Sequence, residues 1–179
     1  MKKLIIYIIL IAVSGIIFSV PGIRNFFKNQ FFPIATIENA VHIAPEDYNI
    51  DLQGINTSST NLKNFRNKPV FLNFWGTWCP PCREEWPSIQ KLYDSRKGNL
   101  DFVLIAMKDE EYAVRKFLKE NNYTVPVYIA QSPISEKLLP KAFPTTFLLD
   151  QTGRILIKED SSADWNKESV HRIIDNTIK

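Results

Sequence analysis

The sequence predicts an α/β domain: a mostly parallel sheet covered by helices on both faces, with an antiparallel edge. Three observations predict it. Residues 70–75 and 101–107 are near-continuous apolar runs, the pattern of strands buried on both faces. Stretches of helical periodicity alternate with these runs. Asp150-Gln151-Thr152-Gly153 reads as a hairpin turn joining two further strands.

The totals suit one domain with an appendage: 179 residues, 45% of them apolar, including twelve Phe and four Trp. The 22 basic and 19 acidic residues leave a net charge of +3. That balance, with no basic cluster among aromatics, argues against a nucleic-acid partner.

The elements follow in chain order. Lys2 and Lys3 precede an uncharged apolar run over residues 4–20. A helix of that length reaches roughly 25 Å, the short end of a membrane span. No A-x-A cleavage pattern follows it, so residues 1–20 read as an uncleaved signal-anchor, with a cleaved signal as the alternative. Lys2 and Lys3 favour a cytoplasmic N-terminus, while Arg24 and Lys28 oppose it. The expectation is single-pass attachment to the cell membrane, with the globular part on the extracytoplasmic side. Residues 21–44, with Phe26, Phe27, Phe31, Phe32 and Pro33, form a tether.

The domain is expected over 45–179. A first strand at 49–52 is followed by a turn at Gln53-Gly54 and a polar loop at 56–60; residues 62–65 make a helical turn. After the strand at 70–75, Gly76-Thr77 turns the chain into a helix over 80–96, where Trp86, Ile89, Leu92 and Tyr93 recur at steps of three and four. Pro80 and Pro81 sit in its first turn, where a missing N–H costs nothing, and Gly98 closes it. A strand at 101–107, a helix at 111–121, a strand at 125–130, a short helix or turn at 134–139, and strands at 145–149 and 154–158 follow. Val170, Ile173, Ile174 and Ile178 mark a final helix over 165–178.

Cys79 and Cys82 are the two cysteines of the chain. A loop this short gains little stability from closure, so their purpose is chemical. Cys79 stands at a helix N-terminus, where free amides and the helix dipole favour a thiolate, the form that attacks disulfides. Cys82, one turn on, is placed to resolve the mixed disulfide. The sequence therefore predicts an exposed nucleophile at Cys79 and a buried resolver at Cys82. Neither proline donates an N–H to the Cys79 sulfur and the Cys82 N–H remains. This predicts a moderately lowered Cys79 pKa and a reducing couple. No cofactor is expected. Zinc needs about four ligands, and the histidines are His42 and His171, far apart in sequence. Covalent haem needs a histidine where Arg83 stands.

The run Phe71-Leu72-Asn73-Phe74-Trp75-Gly76-Thr77-Trp78-Cys79-Pro80-Pro81-Cys82-Arg83-Glu84-Glu85-Trp86-Pro87 resembles the active-site segment of the thioredoxin-like TlpA and ResA proteins. The resemblance covers roughly residues 46–179. It implies a thioredoxin-like fold, a central mixed sheet flanked by helices, with residues 111–130 as the helix and strand inserted in TlpA-like members. It implies that Trp78, Phe143, Pro144 and Thr145 bind substrate, the last three as a cis-proline loop. Pro87 matches the proline that kinks the active-site helix. The sequence departs from the pattern at Asn73, where thioredoxin has a buried aspartate, and at Pro80, where ResA has glutamate. Glu85 matches the family's helix glutamate. It reads as an exposed or capping carboxylate, with a proton relay as the alternative. Arg83 reads as a solvated helix residue or as a help to the Cys79 thiolate, and Trp86 and Trp165 as packing aromatics.

The resemblance implies reduction of protein disulfides, with an apocytochrome c in cytochrome c maturation as one substrate. It also implies a membrane thiol relay of the CcdA or DsbD type as electron donor. Two alternatives stand beside it. A thiol peroxidase wants threonine three residues before the nucleophile, where Gly76 stands and Thr77 is one residue off. A redox-inactive peptide-binding module would use the cis-proline groove alone.

Overall fold

The computed structural model describes residues 41–177. The expected anchor at 1–20, most of the tether at 21–44 and the end of the final helix lie outside the described residues. Among the described residues no helix is long and apolar enough to cross a membrane.

The elements run β1 (Asp51–Gly54), β2 (Thr60–Asn61), β3 (Val70–Trp75), α1 (Pro80–Arg96), β4 (Asp101–Ala106), α2 (Glu111–Asn121), β5 (Val127–Ala130), β6 (Thr145–Leu149), β7 (Ile155–Glu159) and α3 (Glu168–Thr177). Short 3-10 turns occupy Pro45–Tyr48 and Leu62–Phe65. The seven strands form one sheet in the order β2-β1-β5-β4-β3-β6-β7. Only β3–β4 and β4–β5 pair in parallel; the other pairings are antiparallel. The central mixed sheet implied by the resemblance is present, while the mostly parallel sheet read from strand–helix alternation is corrected. Helical crossovers make the centre parallel, whereas β6 returns from residues 131–144 without a helix and runs against β3.

Smaller corrections have local causes. Gln53 and Gly54 belong to β1, and the chain reverses over residues 55–59. A Cβ on Gly54 would lie 2.1 Å from the Thr57 carbonyl oxygen, so the reversal crosses too closely for any side chain. Strand β5 starts at Val127, not 125. The Asn56 side chain takes over there, donating to the Val125 carbonyl and accepting from the Val127 amide, both at 2.9 Å. The last helix begins at Glu168, which leaves Trp165 in the preceding loop. The domain also starts before Pro45. The Ile43 amide donates to the Gly153 carbonyl, and the Ile155 amide to the Val41 carbonyl.

Every residue of β3 is buried. Val70, Leu72 and Phe74 join Ile50, Leu52, Val103, Ile105 and Phe147 in one apolar layer. On the alternate face Phe71 meets Trp165 edge-on at 5.0 Å and Trp75 meets Trp86 of α1 at 4.4 Å. Trp86 and Trp165 are packing aromatics, as expected, and fully buried. Asn73 falls on this second face because side chains alternate along a strand. A polar residue therefore stands beneath α1.

The β6–β7 turn is held by Asp150, which is 6% exposed. Burial works against its charge. Hydrogen bonds from the Thr152 hydroxyl, the Arg154 and Thr152 amides and the Arg154 side chain outweigh that and lower its pKa below the usual value. A lowered folded pKa stabilises above the ordinary carboxyl pKa of about 4, and that stabilisation is lost as pH falls through the folded value. Asp150→Asn is expected to cost about 2 kcal/mol at pH 7. The cost should shrink progressively below pH ~4. Urea denaturation at pH 7 and pH 3 measures both; an equal cost at the two values would contradict the charge-based account.

Candidate active site

The site grows out of the end of β3. After Trp75 the chain turns through Gly76, Thr77 and Trp78 into the N-terminus of α1. The loop after β4 clamps this turn. The Thr77 amide donates to Asp109 Oδ2 at 2.5 Å and the Thr77 hydroxyl to Asp109 Oδ1 at 2.9 Å. The Trp78 indole Nε1 donates to the Met107 carbonyl at 2.9 Å. This folds the indole over Gly76, where an added Cβ would lie 2.5 Å from Nε1. A side chain at position 76 would have to push the indole aside.

Cys79 is the N-cap of α1, and Pro80 begins the helix. Its sulfur is bonded to that of Cys82, with the two Cα atoms 5.3 Å apart. The Cys82 amide lies 3.3 Å from the Cys79 sulfur and donates to it, the one contact expected to survive the two prolines. Cys79 is 3% exposed and Cys82 fully buried. The expectation of an exposed Cys79 is thus corrected: joined to Cys82, it is buried. The expected burial of Cys82 is observed.

The facing wall comes from β6. Antiparallel pairing sets Thr145 opposite Phe74, so the loop before β6 arrives beside the end of β3. The Phe143–Pro144 bond is cis. The Phe143 ring meets Trp78 edge-on at 5.4 Å, and Trp78 is half exposed. The structure thus brings Trp78, the residue before Cys79, into contact with Phe143, the residue before the cis-proline. Thr145 is buried, its hydroxyl 2.9 Å from the Ala142 carbonyl and 2.8 Å from Asp160 Oδ1. Its side chain is committed to the protein.

Beneath the cysteines lies a buried polar cluster. Glu85 is 2% exposed, which overturns its reading as an exposed or capping carboxylate. It stands one turn after Cys82 on the same inward face of α1. Asn73 Nδ2 donates to Glu85 Oε1 at 2.9 Å and to Thr146 Oγ1 at 2.8 Å. Trp165 Nε1 donates to Glu85 Oε2 at 2.9 Å, and the Ala163 amide approaches the same oxygen at 3.3 Å. Arg83 lies over the Phe117 ring at 5.7 Å, so the contact the structure gives it is with α2. No group of residues that would hold a metal ion occurs among the described residues.

Sequence reasoning missed three contributors: Asp109, Thr146 and the polar end of Trp165. Asp109 is an ordinary loop acid in the sequence and Thr146 an ordinary strand residue. Trp165 carried a signal, because a buried indole N–H generally finds an acceptor. Thr77, weighed for peroxide chemistry, is engaged by Asp109.

Comparison with known proteins points one way. The Redoxin family model matches residues 44–174. The chain is 31% identical over 144 residues to the thiol-disulfide oxidoreductase ResA of Bacillus thuringiensis, covering 77% of this chain and 82% of that protein. It is 30% identical over 178 residues to ResA of Geobacillus kaustophilus, covering 98% of this chain and 94% of that one. Among solved structures, a thiol:disulfide interchange protein DsbE from Chlorobium tepidum matches with a TM-score of 0.63 at 22% identity, over 82% of this chain and 99% of its own. StoA from Bacillus subtilis matches with a TM-score of 0.56 at 20% identity, over 79% and 98%. These structural likenesses bear on the fold.

Proposed function

Because the chain belongs to the Redoxin family and, within it, to the ResA thiol–disulfide oxidoreductases, we propose that it reduces protein disulfides outside the cytoplasm through Cys79 and Cys82. The fold is thioredoxin-like and the enzyme is a thiol–disulfide oxidoreductase. The observation that carries the proposed roles is the pair at the start of α1. Cys79 caps the helix and accepts the Cys82 amide, while Cys82 lies deeper.

The cycle begins with the dithiol. The Cys79 thiolate, favoured by the helix N-terminus and the Cys82 amide, attacks one sulfur of a substrate disulfide and expels the other as a thiolate. Cys82 gives up its proton, with Glu85 as the relay, and attacks the Cys79 sulfur. The second substrate thiolate leaves, and Cys79 and Cys82 are joined as the structure shows them. Two electrons have passed to the substrate, whose sulfurs take up the protons. Trp78, Phe143, Pro144 and the Thr145 backbone form the groove that seats the substrate chain.

The restoring electrons come from a membrane thiol relay of the CcdA or DsbD type, and an apocytochrome c undergoing maturation is the proposed substrate. Residues 1–20 anchor the enzyme to the cell membrane. The lysines before the apolar run and its uninterrupted length support this placement.

Insulin reduction tests the activity. The wild type is expected to turn over and Cys79→Ser to be silent. A wild type without turnover would turn the reading towards a redox-inactive peptide-binding module. A membrane-impermeant thiol reagent applied to intact, mildly reduced cells is expected to label the chain. Labelling only after lysis would reject the extracytoplasmic placement.

A further inference from the structure

The loop between β7 and α3 reaches into the site from 80 residues away in sequence. Each oxygen of Glu85 has its own donors. Oε1 receives the Asn73 amide, and Oε2 receives the Trp165 indole and faces the Ala163 amide. All three are uncharged N–H groups with nothing to accept a proton, so each favours the ionised carboxyl over the protonated one. The loop is also fixed in place. Ser88, on the turn of α1 after Glu85, donates its hydroxyl to the Glu85 carbonyl at 2.7 Å and accepts from the Trp165 amide at 3.0 Å. The indole itself is wedged edge-on against Phe71. Trp165 therefore cannot swing from the carboxylate without leaving the core.

We propose that Trp165 is a positioning residue: its indole N–H, aided by the Ala163 amide, holds Glu85 as an acceptor and so sets the pH at which Glu85 exchanges protons with Cys82. This rests on Glu85 being the relay. Titratable groups on the elements packed against the cluster include Cys82 on the preceding turn of α1, Asp160, which reaches Thr145, and Asp164, whose carboxylate accepts from the Asn166 amide within the loop. The loop thus governs the acid limb of the reaction without touching substrate.

The test is the pH profile for oxidation of the reduced full chain by a small peptide disulfide, for wild type, Trp165→Phe, Glu85→Gln and the double variant. Phenylalanine keeps most of the ring and removes the N–H. Trp165→Phe is expected to move the acid limb up by about one pH unit, because the charged carboxyl loses a donor. Glu85→Gln is expected to leave only the limb set by the Cys79 thiolate, and the double variant to match Glu85→Gln. A merely structural role for Trp165 would scale the rate at every pH and would act in both backgrounds. A Trp165→Phe profile superimposed on the wild type, with the limb altered in Glu85→Gln, overturns the inference and leaves the relay standing. A Glu85→Gln profile superimposed on the wild type overturns the relay itself. If Trp165→Phe fails to fold, Ala163→Pro removes the other donor at the surface and is expected to move the limb in the same direction; an unmoved limb there overturns the inference.

Discussion

Cys82→Ser is expected to become a trap that holds its substrate through a disulfide to Cys79. Attack by Cys79 needs its own sulfur and the helix N-terminus, both intact in this variant. Release needs a second thiolate one turn away, and serine supplies none at neutral pH. Cys79→Ser should trap nothing, because the remaining thiol at Cys82 is fully buried. Its disulfide-reduction rate should fall by at least about a thousandfold, the scale of losing a nucleophile. Non-reducing electrophoresis followed by mass spectrometry reads both results. Comparable adducts through Cys82 in Cys79→Ser would reverse the assignment of roles. A captured c-type apocytochrome would support the maturation reading.

The second large effect is expected at Asn73, where asparagine stands 2.9 Å from the buried Glu85 carboxylate. Asn73→Asp removes the donor and sets a second carboxyl against the first. Two carboxyls in one buried site cannot both ionise cheaply, so the pair retains a proton well above the ordinary carboxyl pKa. A shift of about two pH units corresponds to about 3 kcal/mol. The folded state then binds more protons than the unfolded one, so the penalty grows as pH rises from about 4 to the raised value, and fades in acid. Asn73→Asp should therefore lose about 3 kcal/mol at pH 7 and little at pH 4, by urea denaturation. A loss independent of pH would mean that packing, not charge, decides the residue at this position. The departure from thioredoxin at Asn73 thus has a local reason: the acid of this site is supplied by α1, and β3 supplies its donor.

Much of the architecture was legible in the sequence because its signals are local. The bounds of α1 follow from two prolines after a cysteine cap and from apolar steps of three and four. The bounds of α2 and β6 were also readable from short-range pattern. The Cys79–Cys82 pair was legible for the same reason, since three positions of spacing at a helix start already dictate the geometry. The burial of Glu85 was not legible. Next to Arg83 and Glu84 it reads as one charge among several on a polar face. Only the helix phase relative to β3 shows that it points inward with Cys82.

By itself, then, the sequence determined the secondary elements, the redox pair and the family, because these depend on residues within a few turns of one another. The tertiary structure alone decided the order of the strands and the company Glu85 keeps. Those depend on which donor from a distant segment, Asn73 on β3 or Trp165 beyond β7, arrives within hydrogen-bonding distance when the sheet closes. Such pairings leave no periodicity in the chain: a buried carboxylate is satisfied by geometry that folding creates.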